Sequence, residues 1–334
     1  MMPVPLDNGC SDVLKLPNDR MIDAAVLRSC LPADELGSLI NAIAQALPAI
    51  AARLAAGKLP GDPAAIAGQN ESGDAQKALD IGAHDHVVVA LKGRSVRHVL
   101  SEEAEHVETL DPNGIYDIAM DPIDGSGSIG IGAPLGMLFV VYPTGSADFA
   151  RKGSEAVAAG YASFGHSLDF GFTLGQGVHI ATHDGDDFRM AAENVMLKPA
   201  ASTLAYNASN ERHWSPGLKK WAEDVRAGKD GPRGRNFNMR WLAAAVGELH
   251  RILLQGGAFM YPADQREGYR EGRLRLAYEA VPIAFLIEAA GGSATDGTNR
   301  ILDLVAKTPH QNIPLVFGAR EEVDIITKYI AEET

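Results

Sequence analysis

Two pairs of acidic residues stand where apolar segments of this 334-residue chain end. Glu102 and Glu103 follow one short apolar run, and Asp121 and Asp124 follow another. Such runs predict buried strands, and ligands of layered α/β proteins usually bind where strands end. The proline between the two aspartates favours an extended Asp121 and a tight turn, which directs both carboxylates and the Ile123 carbonyl to one region. Three oxygen donors in this arrangement suit Mg²⁺ or Mn²⁺.

A run of small residues follows directly: Gly125, Ser126, Gly127 and Ser128. Small residues allow several backbone N–H groups to point at one spot, which makes a binding site for an anion such as phosphate. Carboxylates that hold cations beside amides that hold a phosphate are the arrangement needed for metal-assisted hydrolysis of a phosphate ester. A D-P-x-D-G segment is also common in turns that bind nothing. The second acidic pair and a separate basic segment favour the catalytic interpretation.

Charge is distributed unevenly along the chain. The net charge is −13, but the segment from Arg212 to Arg275 has 13 Lys or Arg and 7 Asp or Glu, a local charge of +6. An acidic protein repels nucleic acid, acidic membranes and phosphorylated small molecules unless cations or a basic patch reverse the field. The basic segment fits a solvated surface equally well. We expect a small anionic substrate and no nucleic-acid or membrane partner.

Cysteine usage and the N-terminal segment favour a cytoplasmic location. Cys10 and Cys30 form no CxxC motif, and no Cys/His cluster has the spacing of zinc ligands. Residues 1–20 lack the basic start and apolar run of a signal peptide, and no stretch of about 18 apolar residues predicts a membrane span.

Helices and strands are predicted in both halves of the chain, which indicates an α/β or α+β protein with layered domains. The helical period predicts helices at 32–56, 74–91, 240–254 and 280–290 and from about residue 320. Short apolar runs predict strands at 97–100, 115–120, 138–142, 160–164, 170–174, 178–181, 258–261 and 311–317. Residues 58–73, rich in Gly, Pro and Ala, are typical of a loop.

From about Gly73 to its end, the chain resembles the class I fructose-1,6-bisphosphatases of bacterial type, within the lithium-sensitive sugar-phosphatase superfamily. The segments that carry the resemblance stand in the family's order: Gly73-Asp74 with Leu79-Asp80, Ser101-Glu102-Glu103, Asp121 to Ser126, Phe237 to Trp241, Gly256-Gly257 through Tyr261-Pro262, and Arg273 to Glu279. The resemblance implies alternating α-β-α-β-α layers in two domains. Residues 1–197 would carry the metal loop, and residues 198–334 would bind substrate.

The resemblance also implies roles for individual residues in hydrolysis of D-fructose 1,6-bisphosphate to D-fructose 6-phosphate and phosphate. The metal ligands, for Mg²⁺ or alternatively Mn²⁺, would be Glu102, Asp121, Asp124, Glu279 and the Ile123 carbonyl. The catalytic acids would be Asp80 and Glu103, which position and activate the attacking water, and Asp74, which acts through water on an additional metal.

Substrate contacts are implied in the same way. Those to the 1-phosphate end would come from Asp124, the amides of Gly125, Ser126, Gly127 and Ser128, and Arg275. Those to the sugar and the 6-phosphate would come from Asn210, Tyr261 and Arg273. Arg240 would reach the 6-phosphate pocket of a neighbouring subunit, so a homo-oligomer, typically a tetramer, is expected.

Some positions depart from the family pattern. Trp241 and His213 stand where animal enzymes have tyrosines, and bacterial relatives share the tryptophan. The Lys-Tyr pair and the arginine of the animal AMP site are replaced, at Ile115-Tyr116 and about Tyr142-Pro143, so AMP inhibition of that type is not expected. The loop after Asp124 is unusually rich in glycine, which affects substrate affinity more than metal chemistry.

Three alternative functions compete with this interpretation. An inositol monophosphatase usually has a W-D-x-A-A-G segment where this chain has Tyr278-Glu279. A non-catalytic sugar-phosphate sensor would have no use for Asp80 and Glu103. Sedoheptulose-1,7-bisphosphatase activity, alone or in addition, stays open, because its substrate differs by one carbon.

Overall fold

The computed structural model describes residues 23–69 and 75–332. The helices in these ranges are α1 (Leu27–Cys30), α2 (Glu35–Ala55), α3 (Ala78–Leu91), α4 (Pro216–Ala227), α5 (Ala245–Gln255), α6 (Val281–Ala289) and α7 (Arg320–Ala331). The strands are β1 (Ile66–Gln69), β2 (Ala75–Lys77), β3 (Val96–Ser101), β4 (Glu108–Thr109), β5 (Tyr116–Asp124), β6 (Leu135–Pro143), β7 (Ala158–Phe164), β8 (Leu168–Thr173), β9 (Val178–His183), β10 (Phe188–Val195), β11 (Thr203–Ala205), β12 (Asn238–Met239), β13 (Ala258–Tyr261), β14 (Leu274–Arg275), β15 (Ser293–Thr295), β16 (Asn312–Ile313) and β17 (Leu315–Gly318).

Two sheets dominate the fold. The larger has eight strands in the order β10-β9-β8-β7-β6-β5-β3-β4, and the smaller has five in the order β12-β11-β13-β17-β15. In the larger sheet β3 and β5 run parallel, and Ser101 at the end of β3 pairs with Met120. The amide of Glu102 also donates to the Met120 carbonyl at 3.2 Å. The carboxyl ends of the two strands therefore meet, and the two acidic pairs lie at the same edge of the sheet.

Side chains that alternate along the central strands separate the apolar layers. In β5, Ile118 packs with α2 and α3, whereas Ala119 packs with α5 and α6. In β13 of the smaller sheet, Phe259 joins the α5 and α6 layer, whereas Met260 packs with α4 and α7. The order is thus α2/α3, larger sheet, α5/α6, smaller sheet, α4/α7. This confirms the predicted α-β-α-β-α layers.

Several element boundaries differ from the sequence-based prediction. The helix predicted from residue 74 begins at Ala78, because residues 75–77 pair as β2 with β1, a strand inside the predicted loop. The helix predicted from Arg240 begins at Ala245. The Arg240 amide instead donates to the Leu204 carbonyl at 2.8 Å, and Ala243 has a left-handed φ of 62°. The prediction omits α4 and β10, whose polar faces interrupt the apolar pattern.

Among the described residues, one helix, α2, is long and apolar enough to cross a membrane by length and composition alone. Its apolar face is buried with residues of α3 and the larger sheet, as in the core helix of a folded domain. The predicted domain boundary at 197/198 falls between β10 and β11, where the chain passes from one sheet to the other. It stays a prediction, because α5 and α6 pack against both sheets.

Candidate active site

Three buried carboxylates form a cluster where β5 ends. They belong to Asp121, Asp124 and Glu279, and one oxygen of each lies within 4.8 Å of the others. The first two are in β5 itself, next to the Ile123 carbonyl, and Glu279 lies in a π-helical turn between β14 and α6. Such turns are rare and often occur at functional sites. Buried carboxylates this close repel one another unless protons or cations neutralise them.

The pKa shifts in the cluster show how strongly it favours added positive charge. Burial, followed by repulsion from Glu102 and other acids, raises the pKa values of Asp121 and Glu279 well above their ordinary range. Burial raises the pKa of Glu102 to about 7, and its side chain hydrogen-bonds to that of Asp121. Burial also raises the pKa of Asp124 to about 6. The all-oxygen donor set fits a hard divalent cation, which would replace these protons.

Main-chain amides hold the two aspartates in place. Asp121 Oδ1 accepts from the amide of Ile123 at 2.9 Å. Asp124 Oδ2 accepts from the amide of Val246 at 2.5 Å, and the amide of Ala245 also donates to it. Both of these donors are in the first turn of α5, whose helix dipole favours a negative charge there. The Asp124 carboxylate is therefore fixed by a segment more than a hundred residues away in the sequence.

Gly125 is required by the backbone at this point. Its φ is 84°, in the left-handed region, and an added Cβ would lie 2.6 Å from the Cβ of Ala244. Only glycine satisfies both conditions without displacing the residue that precedes α5. The D-P-x-D-G segment therefore forms a turn. This turn places the Asp124 carboxylate where it accepts hydrogen bonds from the first turn of α5.

Asp80 on α3 interacts with Glu103, which follows Glu102 at the end of β3 and, in addition to burial, raises the pKa of Glu102 by repulsion. Asp80 is 2% exposed, and burial followed by repulsion from Glu103 raises its pKa to about 7. Its Oδ2 accepts from the Lys77 amide at 3.2 Å, and its Oδ1 has no partner among the described residues. Glu103 Oε2 accepts from Gln76 Nε2 at 2.7 Å. The third predicted catalytic acid, Asp74, lies outside the described residues.

Two residues that position these groups were not predicted from the sequence. Gln76 binds both the side chain and, at 2.9 Å, the carbonyl of Glu103. The Lys77 ammonium group donates to the Ser126 carbonyl and so joins β2 to the glycine-rich turn. The prediction of a helix over residues 74–91 gave no reason to assign a role to Gln76 or Lys77, because it placed both in the first turn of that helix. A strand ending at Lys77 was the signal that could have identified them.

The Ser126–Ser128 segment forms a single 3₁₀ turn after Gly125. The amide of Ser128 donates to the Gly125 carbonyl at 2.7 Å, so it is engaged by the turn. The amide of Gly125 donates to Asp124. The amides of Ser126 and Gly127 are not among these donors, and the anion site over Gly125 to Ser128 stays a prediction.

Arg275 connects the cluster to the basic part of the chain. Its backbone amide donates to Glu279, and its Nη1 donates to Asn312 Oδ1 at 2.6 Å and to the His310 carbonyl at 3.2 Å. Arg273 stands two residues earlier, and the residue between them is buried. Two arginines, Arg273 exposed and Arg275 half-buried, therefore lie within two residues of each other, next to Glu279 of the acidic cluster.

Of the other predicted sugar contacts, Tyr261 belongs to an aromatic stack, whereas Asn210 and Arg240 lie on more exposed segments. The Tyr261 ring stacks on Trp241 with centroids 6.1 Å apart. Burial and the neighbouring Tyr269 raise the pKa of Tyr261, while Arg273 opposes the shift. Asn210 lies in a partly exposed 3₁₀ segment. Arg240 is exposed, and its Nη1 donates to its neighbour's carbonyl at 3.0 Å. No contact within the described part of the chain joins Asn210 or Arg240 to the acidic cluster.

Comparison with known proteins places these features in one family. The model of the fructose-1-6-bisphosphatase N-terminal domain matches residues 24–190, and that of the C-terminal domain matches residues 197–331. The chain is 49% identical over 296 residues to "Fructose-1,6-bisphosphatase class 1" of Brucella anthropi, covering 88% of this chain and 87% of the relative. It is 48% identical to the protein of the same name from Brucella suis, with the same coverage.

Solved structures show the same likeness. The holo form of Leishmania major fructose-1,6-bisphosphatase superposes with a TM-score of 0.85 and 29% identity over 92% of this chain and 98% of that one. The apo form gives a TM-score of 0.79 and 27% identity over 92% and 99%.

Proposed function

This chain belongs to the class 1 fructose-1,6-bisphosphatase family, and on that basis we propose that it hydrolyses D-fructose 1,6-bisphosphate to D-fructose 6-phosphate and phosphate. One observation supports this most strongly: parallel β3 and β5 bring two acidic pairs to one edge, beside Glu279 and Arg275. The clustered carboxylates alone would repel a phosphate group. Binding of the substrate therefore requires metal ions on the carboxylates and, in addition, the positive charges of Arg273 and Arg275.

We propose that Glu102, Asp121, Asp124 and Glu279, with the Ile123 carbonyl, hold Mg²⁺, for which Mn²⁺ can substitute. A divalent cation held by these oxygens would supply Lewis-acid polarisation of the phosphoryl group and would make the attacking water more acidic. Glu103 adjoins the proposed ligand Glu102 and interacts with Asp80, and we propose that these two acids position and activate the attacking water. Burial raises the pKa of Asp80 to about 7, which suits a group that accepts a proton near neutral pH. Gln76 and Lys77 orient these two acids.

The two phosphates of the substrate are assigned to different sets of donors. Arg275 and the amides of Ser126 and Gly127 bind the 1-phosphate. Arg273, Tyr261 and Asn210 bind the sugar and the 6-phosphate. Arg240, exposed beside the edge strand β12, reaches the corresponding pocket of a second copy, so we propose a homo-oligomer, in the form of a tetramer. We also propose a cytoplasmic location and a domain boundary near residue 197.

Phosphate release from fructose 1,6-bisphosphate tests the proposal directly. The full chain is assayed with Mg²⁺, with excess EDTA, and after Mg²⁺ or Mn²⁺ is restored. We expect release that stops on chelation and returns with the metal. Release that persists after thorough chelation would refute the metal mechanism, and no release under any metal condition would refute the activity.

A further inference from the structure

The described residues include five arginines whose guanidinium groups lie over aromatic rings: Arg151, Arg233, Arg235, Arg266 and Arg273. Four of them also form an ion pair with a carboxylate, of Asp117, of Glu322 in two cases, and of Asp264. Arg273 has no carboxylate partner in the described ranges. Its charge is therefore available to an anion from outside the chain.

The ring under Arg273 is that of Tyr269, and it is held firmly. The Arg266 guanidinium lies over the same ring at 3.8 Å from the centroid, and that of Arg273 at 5.2 Å. Arg266 is itself fixed by Asp264, with contacts of 2.5, 3.0 and 3.1 Å. Asp264 is buried, so the pair is anchored in the fold.

Backbone hydrogen bonds close the loop that carries this ring. The Tyr269 carbonyl accepts from the amides of Asp264 and Gly272, each at 3.1 Å, and the Tyr269 amide donates to the Arg266 carbonyl at 3.1 Å. Gly272 has a φ of 80°, and a Cβ there would lie 2.1 Å from the backbone of Ile313. Tyr269 is thus a rigid, half-buried surface on which the long Arg273 side chain rests.

We propose that Tyr269 is a positioning residue: its ring orients the unpaired Arg273 guanidinium toward the distal phosphate of the bound sugar bisphosphate. The cation–π contact restricts Arg273 before substrate arrives, so less side-chain entropy is lost on binding. Arg266, neutralised by Asp264, braces the ring and does not compete for the phosphate. This inference rests on the proposed function, because it requires a bisphosphate whose second phosphate reaches Arg273.

The full chain is tested with Tyr269→Leu, which removes the ring, and Tyr269→Phe, which keeps it. We expect Tyr269→Leu to raise KM for fructose 1,6-bisphosphate about 3- to 10-fold with kcat within about twofold, and Tyr269→Phe to stay within about twofold on both. With fructose 1-phosphate, which lacks the distal phosphate, kcat/KM should not respond to either change. In an Arg273→Ala background, Tyr269→Leu should add nothing further.

Phe149→Leu is the matched control, because Phe149 contacts Arg151, whose charge is satisfied by Asp117. It should lower the melting temperature without changing KM. The inference is overturned if Phe149→Leu raises KM as much as Tyr269→Leu does, if the monophosphate is affected equally, or if the effects of Tyr269→Leu and Arg273→Ala add. Failure of the unmodified chain to hydrolyse the bisphosphate would instead overturn the proposed function.

Discussion

The acidic cluster and the basic patch around Arg273 are built in opposite ways. Asp121, Asp124 and Glu279 are buried and are held by main-chain amides from β5, α5 and β14. Arg273 is exposed and is held by stacking on the ring of Tyr269 in a loop. Buried like charges need rigid backbone donors, because side-chain movement would change their repulsion steeply. An exposed cation that binds a remote phosphate tolerates a looser support.

The largest effect is expected where the acidic cluster loses one charge. Asp121→Asn keeps the shape of the side chain but weakens the hold on cations, so kcat/KM should fall by about 10²–10³-fold or more. The metal-free variant should unfold at a higher temperature than the parent, because a repelling buried carboxylate is gone. Phosphate release and thermal unfolding measure the two effects. A variant that retained most of its rate would show that the metal assignment is wrong.

Gly125→Ala tests whether the acidic cluster requires the left-handed backbone conformation of Gly125. A left-handed alanine costs about 1–2 kcal/mol, and the contact with Ala244 should also shift the first turn of α5 away from Asp124. Urea unfolding should show a loss of about 2 kcal/mol or more, with a clear drop in kcat. Gly82→Ala is the control, since Gly82 lies in α3 without a left-handed φ and nothing lies within 4 Å of its added Cβ. Equal behaviour of the two variants would contradict this account of the turn.

The raised pKa values predict that the stability of the metal-free protein falls as pH rises, whereas the gain in stability on adding metal increases. The pKa values of Glu102 and Asp80 are about 7 and that of Asp124 is about 6, above those of the unfolded chain. The folded state therefore keeps protons that the unfolded state releases, so the metal-free protein should lose stability as pH rises from about 4 to about 7. Mg²⁺ or Mn²⁺ should stabilise it more at about pH 8 than at about pH 5. Thermal unfolding with metal and with EDTA at both pH values would measure this. Equal stabilisation at both would argue against the carboxylate site.

The smallest effect is expected in the exposed region. Arg240→Ala should raise KM for the bisphosphate about 3- to 10-fold and leave kcat within about twofold, because the 6-phosphate is remote from the bond that breaks. Steady-state kinetics at saturating metal measure both constants. A drop in kcat at constant KM would place Arg240 at the reacting phosphate. It would contradict the expectation that the exposed arginines affect KM while the acidic cluster affects kcat.

The acidic site was partly predictable from local sequence, whereas its supports were not. Asp121 and Asp124 could be identified because Pro122 and Gly125 restrict the backbone around them. Glu279 could be assigned only through the family resemblance, since an acid before a helix is common. Gln76 and Lys77 were assigned to a helix instead of the strand β2, and Tyr269 has no local sequence signal.

The sequence by itself determined the mixed α/β class and the turn around Asp124, because steric limits on Pro and Gly and the alternation of apolar residues act over a few positions. The family and its layer order followed from the resemblance of several motifs in their order along the chain. Only the tertiary structure decided which acids share one space, which amides of α5 hold Asp124, and which arginine is left without a carboxylate. Repulsion, burial and pairing depend on distances between segments far apart in the chain, and these distances exist only once β3, β5 and the turn before α6 have packed together.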